Sequence, residues 1–250
     1  MKHDIVYLLR NDIAGEELRY SIRSVVQNFP YRKIIFVGGK PDGIEPDIYI
    51  EDIQEGKTKA QRSTHSLRKA IADNRLTDDI WLFNDDFFIM DKVKEDINYF
   101  NGTIEKRIVD IKRNIGASPY VHALDVMRGQ LFNLKKDTLS FSLHLPFLFN
   151  RQKALDLFEK FPDLSMFRSF YANYYEIDCR YMKDVKVLDN ETIPDTAYIS
   201  TSDSSFREGK VGDFLRQYFA EPSEYEKSKE TQLREQTKEI YDEDGNERYD

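Results

Sequence analysis

Short apolar runs alternate with amphipathic segments over about the first 90 residues, and this alternation constrains the fold more than any other feature. The runs are partly β-branched, as buried strands are, and they lie at 5–9, 34–37, 47–50 and 80–83. Between them, apolar residues recur at helical spacing over 16–27 and 58–74. This order of elements predicts an α/β fold with a mainly parallel, Rossmann-like sheet and helices on both faces.

The second half of the chain is less regular than the first. Its segments are in turn helical, extended, helical and aromatic-rich, over 114–128, 140–149, 151–161 and 163–175. This pattern predicts an irregular, helical C-terminal part. We expect a single domain over 1–220, with one half at 1–110 and the other at 111–220.

Most of the negative charge lies at the end of the chain. The net charge is −8, and the segment 221–250 alone holds 11 acidic and 5 basic side chains. This segment is poor in apolar residues, so we expect a solvated helix or a disordered tail. The rest of the chain is close to neutral, which neither requires nor excludes a nucleic-acid partner.

Composition and motifs exclude several classes of protein. Cys179 is the single cysteine, which excludes an intramolecular disulfide framework and fits a reducing cytoplasm. We expect no signal peptide and no membrane span, because no apolar run approaches the roughly 20 residues that a spanning helix needs. The glycine-rich loops of nucleotide hydrolases and dinucleotide enzymes are absent.

Two polar clusters follow predicted strands of the first half. Arg10 and Asn11 follow the first strand, and Asn84, Asp85 and Asp86 follow the last one. Ligands of such sheets bind beyond the carboxyl ends of the strands. Two adjacent carboxylates must be hydrated, paired or metal-bound, and Mg²⁺ or Mn²⁺ characteristically bridges such groups to a phosphate. The alternative is that Asn84 and Asp85 cap a turn while Asp86 faces solvent.

Cationic side chains on the two predicted helices could contact such a phosphate. Arg19 and Arg23 lie four residues apart on one face of the first helix, and Lys59 and Arg62 belong to a basic stretch of the second. A guanidinium suits a phosphate geometrically. For both groups the alternative is an ordinary solvated face.

Two residues of the second half are further candidates. His144 lies between apolar neighbours and is either a hydrogen-bonded structural residue or a general base, since imidazole titrates near neutral pH. Arg168 lies in an apolar context and needs an anionic partner, which is either a protein carboxylate or a substrate phosphate.

Several segments together resemble a known family. Residues 17–24, Glu-Leu-Arg-Tyr-Ser-Ile-Arg-Ser, resemble the Glu-Leu-Arg-Tyr-Ser-Leu-Arg-Ser segment of the Stealth family of sugar-phosphate transferases. The segments 33–38 and 83–86 resemble the next blocks of that family. The later blocks are matched by His144-x-Pro146, Arg151 and Phe167-Arg168-Ser169. Residues 59–64 and 84–88 are similar to those of short glycosyltransferase-like proteins of bacteriophages and prophages.

This resemblance covers residues 4–170 and implies a GT-A-like fold with a sugar-nucleotide donor. It implies that 1–110 is the nucleotide-binding half and 111–220 the acceptor-side half. It also implies a divalent metal at Asp85 and Asp86 and active-site roles for His144 and Arg168. The chain departs from the Stealth pattern after its first strand, where Tyr-Leu-Leu-Arg-Asn-Asp replaces Tyr-Thr-Trp-Val-Asp-Gly.

We therefore expect a metal-dependent glycosyltransferase that moves a sugar from a nucleoside-diphosphate sugar to an acceptor hydroxyl. In this hypothesis Mn²⁺ or Mg²⁺ binds Asp85 and Asp86, and His144 is the catalytic base. The substrate contacts come from Arg10, Asn11, Arg19, Arg23, Lys59, Arg62, Asn84 and Arg168. The alternatives are a Stealth-like sugar-1-phosphate transferase and a non-catalytic nucleotide-sugar-binding or phage assembly module. A phage setting would place the protein in the cytoplasm of a bacterial or phage-infected cell, with a glycan or a modified DNA base as acceptor.

Overall fold

A computed structural model describes residues 2–164 and 166–227 of the chain. From residue 228 onward the expected acidic tail lies outside the described residues. Its first residues, 221–227, are not a solvated tail as expected, because Tyr225 is buried and Glu226 is paired with Arg23. In the described part the strands are β1 His3–Leu9, β2 Tyr31–Gly38, β3 Ile48–Ile50, β4 Asp79–Phe83, β5 Phe87–Ile89, β6 Asn98–Phe100, β7 Phe147–Asn150, β8 Cys179–Tyr181, β9 Lys186–Val187 and β10 Tyr198–Thr201. The helices are α1 Glu16–Asn28, α2 Lys59–Ala72, α3 Ile104–Ile115, α4 Pro119–Asn133, α5 Arg151–Lys160, α6 Phe167–Tyr175, α7 Asp203–Glu208 and α8 Lys210–Tyr218.

The central sheet has five strands in the order β3-β2-β1-β4-β7. The first four run parallel, with Val6 of β1 paired to Ile35 of β2 and to Leu82 of β4. β7 runs antiparallel to β4 at one edge. The predicted mainly parallel sheet is confirmed, and the carboxyl ends of β1 and β4 meet at the centre of one edge.

Alternation of side chains along the strands creates two apolar layers. Val6 and Leu82 point to one face and pack against α2, α5 and α6, whereas Tyr7 and Phe83 point to the other face and pack with α1. These four residues are buried. The predicted arrangement of helices on both faces is confirmed.

A second, smaller sheet begins directly after β4. Its order is β5-β10-β9, with β10 antiparallel to β5 and parallel to β9. Residues 84–86 therefore connect two sheets, and residues from late in the chain pack beside them. A further pair, β6 and β8, forms a separate two-stranded parallel sheet.

The helix predicted over 114–128 is wrong in its bounds. α3 ends at Ile115 because Gly116 adopts a φ of 81°, which favours glycine. Ser118 then caps α4 by accepting a hydrogen bond from the Val121 amide, and Pro119 occupies the first helical position. The segment 114–128 therefore contains the end of α3 and the first part of α4. None of the helices in the described part of the chain is both long and apolar enough to cross a bilayer.

Candidate active site

A cleft of about 800 Å³ opens at the carboxyl ends of β1 and β4. It brings together the predicted site residues except Arg19 and Arg23, namely Arg10, Asn11, Lys59, Arg62, Asn84, Asp85, Asp86, His144 and Arg168. It also includes Glu17, Lys186 and Asp203, which the sequence did not single out as site residues.

The turn between β4 and β5 carries the acidic pair. β4 ends at Phe83 and β5 begins at Phe87, and both phenylalanines are buried. The Phe87 amide donates to the Asn84 carbonyl at 3.4 Å, which closes the turn. Because apolar residues fix both sides of the turn, its polar residues are presented to the cleft.

Asp86 is neutralised by a lysine from a distant part of the chain. The ammonium of Lys186 donates to Oδ2 of Asp86 and to the Thr201 carbonyl. The Ser200 hydroxyl donates to the same Oδ2 at 3.0 Å. The side chains of Lys186 and Asp86 are 19% and 14% exposed, so this is a largely desolvated ion pair.

Asp85 carries a negative charge that no direct partner offsets. Within the described residues its side chain forms no ion pair and no hydrogen bond to another residue. Burial, followed by repulsion from Asp86, raises the pKa of Asp85, and the more distant cations Arg10 and Lys59 oppose this effect. The turn therefore offers a carboxylate suited to an additional cation.

Glu17 extends the acidic group from the first turn of α1. Its Oε1 accepts a hydrogen bond from the Thr201 hydroxyl at 2.7 Å. Burial raises the pKa of Glu17 to about 7, with further contributions from the charges of Asp85, Asp86 and Asp203. The sequence indicates that Glu17 lies near the strand ends, because it follows the loop between β1 and α1.

Arg168 is a half-buried cation without a carboxylate partner in the part of the chain that the structure describes. Its Nη1 donates to the carbonyls of Leu143 and Leu145 at 3.2 and 2.9 Å, and its Nη2 to Oδ1 of Asn84 at 3.4 Å. Burial lowers the pKa of Arg168 to about 10, although the charge of Asp86 works in the opposite direction. A guanidinium held this way is preorganised to receive an anion.

His144 is oriented by Asp184, which sequence reasoning did not identify. Nδ1 of His144 lies 3.0 and 2.9 Å from the two oxygens of Asp184, and the His144 amide donates to Oδ1 at 3.1 Å. Burial by itself would raise the pKa of Asp184, but the hydrogen bonds from the side chain and backbone of His144 help to bring it below the ordinary value. With Nδ1 carrying the proton in this pair, Nε2 is the ring nitrogen left to accept one.

Basic and polar residues also line the cleft. Arg10 and Lys59 are exposed cations, and Lys59 begins α2, whose first turn is fixed by a capping box between Thr58 and Gln61. Arg62, one turn further, donates to the Gly56 carbonyl at 3.4 Å. These cations line the same cleft as the acidic turn, and the charges of Arg10 and Lys59 act on Asp85.

Asn11 is held in place by the backbone at the end of β3. Its Nδ2 donates to the Asp52 carbonyl at 3.1 Å. The side chain of Asp52 is itself buried and accepts a hydrogen bond of 2.5 Å from the Ser66 hydroxyl on α2. Asn11 is therefore tied to the segment after β3, and through Asp52 to α2.

Arg19 and Arg23 lie outside the cleft, contrary to the expectation that they face a phosphate. Arg23 binds both carboxylate oxygens of Glu226 at 2.7 Å and the carbonyls of Phe219 and Ala220. Arg19 lies 3.4 Å from the same carboxylate. These cations hold the segment 219–227 against α1. They do not face the cleft, because their side of the helix points away from the strand ends.

The donor set fits a divalent cation that is shared with a ligand. No cluster of three or more histidine, cysteine, aspartate or glutamate side chains suited to a metal occurs in the described residues. Asp85 and Asp86 nevertheless supply two carboxylates, and Mg²⁺ is commonly bound by one or two carboxylates plus substrate phosphates. The unneutralised charge of Asp85 is the observation that favours such an ion.

Comparison with solved structures is informative at the level of the fold. The structure matches that of the galactosyltransferase LgtC in complex with donor and acceptor sugar analogs, with a TM-score of 0.50 and 11% identity over 92% of this chain and 100% of the other. The chain has a GT-A-type fold. The GT-A-like fold implied by the sequence resemblance is therefore confirmed.

Other matches are weaker. An active-site mutant of LgtC gives a TM-score of 0.42 at 11% identity, over 74% of this chain and 75% of the other. The glycosyltransferase GlyE of Streptococcus pneumoniae TIGR4 gives 0.41 at 11% identity, over 94% of this chain and 63% of the other. No family model and no curated protein matches the sequence.

Proposed function

We propose that the protein is a metal-dependent glycosyltransferase that moves a sugar from a nucleoside-diphosphate sugar to an acceptor hydroxyl. The observation that carries the proposal is the cleft of a GT-A-type fold, which the unneutralised Asp85 shares with a set of cations. Opposed carboxylates and cations suit a ligand that is itself a metal-bound diphosphate.

The donor side of the cleft would hold the diphosphate. A divalent ion held by Asp85 and Asp86 would neutralise the departing nucleoside diphosphate. Arg10, Lys59 and Arg62 would offset its remaining charge. In the reaction, the bond between the anomeric carbon and the phosphate oxygen breaks with both electrons going to that oxygen, while the acceptor oxygen bonds to the same carbon.

The acceptor proton would pass to a base at the edge of this site. His144 is the proposed base because Asp184 fixes its Nδ1 side and leaves Nε2 to receive the proton. Arg168 would contact a phosphate or the acceptor, since its half-buried guanidinium already donates to Asn84 and is influenced by the charge of Asp86. Glu17 is a second group that titrates near neutrality in the same cleft.

Two other functions keep the same cleft. A sugar-1-phosphate transferase, which the Stealth resemblance favours, would release a nucleoside monophosphate, whereas sugar transfer releases a nucleoside diphosphate. A non-catalytic nucleotide-sugar-binding or phage assembly module would bind without turnover. In the cytoplasm of a bacterial or phage-infected cell, a glycan or a modified DNA base would be the acceptor.

A thermal-shift screen of sugar nucleotides with and without Mn²⁺ tests the proposal, because a bound donor stabilises the folded state by mass action. At least one sugar nucleotide should raise the unfolding midpoint when Mn²⁺ is present. Chromatography of the nucleotide product then separates sugar transfer from phosphosugar transfer. Absence of any shift would count against the function, and a hydrolysis rate unchanged by EDTA and by Asp86→Ala would exclude the metal-dependent form.

A further inference from the structure

The register of the small sheet places Lys186 beside the acidic turn. Ser200 of β10 pairs with Lys186 of β9 on one side and with Phe87 of β5 on the other. Asp86 immediately precedes Phe87, and its carbonyl accepts a hydrogen bond of 3.3 Å from the Thr201 amide. The contact between Lys186 and Asp86 therefore follows from the pairing of β10 with β9 on one side and with β5 on the other.

The ammonium of Lys186 engages a carboxylate that a divalent cation at the turn would also use. It binds Oδ2 of Asp86, and Ser200 donates to the same oxygen. Two cations within a few ångströms of each other repel strongly in a partly desolvated site. A metal ion that uses both carboxylates of the turn must therefore weaken or replace the lysine contact.

Lysine is suited to such an exchange. Its compact charge sits on a flexible four-carbon stem with three rotatable donors, whereas the guanidinium of arginine is a rigid fork. Lys186 lines the cleft and is partly accessible from it. The Thr201 carbonyl, which also accepts from the ammonium, gives the side chain a second anchor.

We infer that Lys186 competes with the divalent cation for Asp86, so that the metal is held firmly only when a diphosphate enters with it. The inference rests on the proposed function and adds a regulation of the same site. In the empty cleft the ammonium neutralises Asp86 and keeps metal affinity low. With a metal-bound diphosphate in the cleft, the ammonium of Lys186 would move from Oδ2 of Asp86 to a phosphate oxygen, and Asp86 would be free to help hold the ion.

A purely structural role for Lys186 makes the opposite prediction. If the ion pair serves only to join β9 to the turn, its loss destabilises the fold and leaves the charge of Asp86 unpaired. The affinity for the metal then does not rise, because no ordered metal site is gained. If Lys186 competes with the metal, its loss frees Asp86 and strengthens binding of the metal alone.

Titration of the ligand-free protein with Mn²⁺, followed by the electron paramagnetic resonance signal of the free ion, tests the inference without any nucleotide. Lys186→Met should bind Mn²⁺ about tenfold more tightly than the wild type, because a nearby positive charge has been removed. Lys186→Gln, which keeps a donor for Asp86 and Thr201, provides a second variant should the first fail to fold. Lys183→Met, at an exposed position of the same segment, is the matched control and should bind like the wild type.

Adding Asp86→Asn to Lys186→Met should remove the gain. Unchanged or weaker Mn²⁺ binding in both Lys186 variants would overturn the inference, and so would a gain that survives Asp86→Asn. Either result leaves the proposed function standing if sugar nucleotides still stabilise the wild type with Mn²⁺. A gain in Mn²⁺ affinity without any nucleotide binding would instead reject the proposed donor.

Discussion

Nδ1 of His144 lies 2.9 Å from Oδ2 of Asp184, 40 positions later in the chain. The carboxylate fixes the imidazole ring so that its other nitrogen is available to the cleft, as expected of a residue that positions a catalytic base. Asp184 precedes β9, the strand that carries Lys186, so one segment orients the proposed base and neutralises Asp86.

Asp184→Asn should lower kcat because the amide cannot favour the same ring orientation and protonation. We expect kcat to fall about 10–10³-fold, which is no more than the fall caused by removing a general base, and the KM of the donor to change little. Steady-state kinetics measure this, and Asp195→Asn, at an exposed position, is the control. In a His144→Ala background Asp184→Asn should have almost no further effect. A full, additive loss there would show that Asp184 does not act through His144.

Asp85→Asn should separate stability from metal binding. Burial and the neighbouring Asp86 raise the pKa of Asp85, so its charged form opposes folding at neutral pH. The neutral amide should raise the unfolding midpoint of the ligand-free protein by about 1–3 °C. It should also abolish the stabilisation that Mn²⁺ gives with a sugar nucleotide. Differential scanning fluorimetry with and without Mn²⁺ measures both effects, and a variant that loses stability without metal would contradict the assignment.

Glu17→Gln should remove a pH dependence of stability. The pKa of Glu17 rises from an ordinary value of 4.5 to about 7 in the folded protein. The folded state then binds more protons than the unfolded state between these values, so this group makes stability fall as the pH rises from 4.5 to 7.

At pH 8 the glutamine variant should be more stable than the wild type by about 1–3 kcal/mol. At about pH 4 the difference should nearly vanish. Urea unfolding at a series of pH values measures the free energy, with Glu208→Gln, at an exposed position, as the control. Parallel stability curves for wild type and Glu17→Gln would show that Glu17 titrates at its ordinary pKa.

Arg23→Met should destabilise the fold without touching the cleft. Arg23 and Glu226 have side chains that are 9% and 10% exposed, so loss of the guanidinium leaves a buried carboxylate with only the longer ion pair to Arg19, at 3.4 Å. Removal of one partner of a buried pair typically costs about 3–5 kcal/mol. Chemical denaturation should show this loss, and the double variant Arg23→Met with Glu226→Met should recover much of it.

At a temperature where the Arg23 variant is folded, its KM for the donor should equal that of the wild type. A specific rise in the donor KM, with stability retained, would restore Arg23 to the phosphate site that the sequence suggested.

The sequence by itself determined the features that depend on local pattern. Apolar strands that alternate with amphipathic helices require a layered α/β fold, and polar residues directly after β1 and β4 must lie at its strand-end edge. The sequence pattern alone therefore places Asn11 and Asp85 at that edge. The same logic places Lys59 there, because a helix that follows a parallel strand begins near that edge.

Only the tertiary structure decided which partners these residues have. Lys186 meets Asp86 across a separation of 100 positions, and Arg23 meets Glu226 across 203. A cation on a helix surface has the same local pattern whether it faces a phosphate, a carboxylate or water, so spacing cannot choose among them. Strand register brings Lys186 to Asp86, and the packing of the segment 219–227 keeps Arg23 out of the cleft. Both depend on contacts between distant parts of the chain, and together they decide which charges the cleft contains.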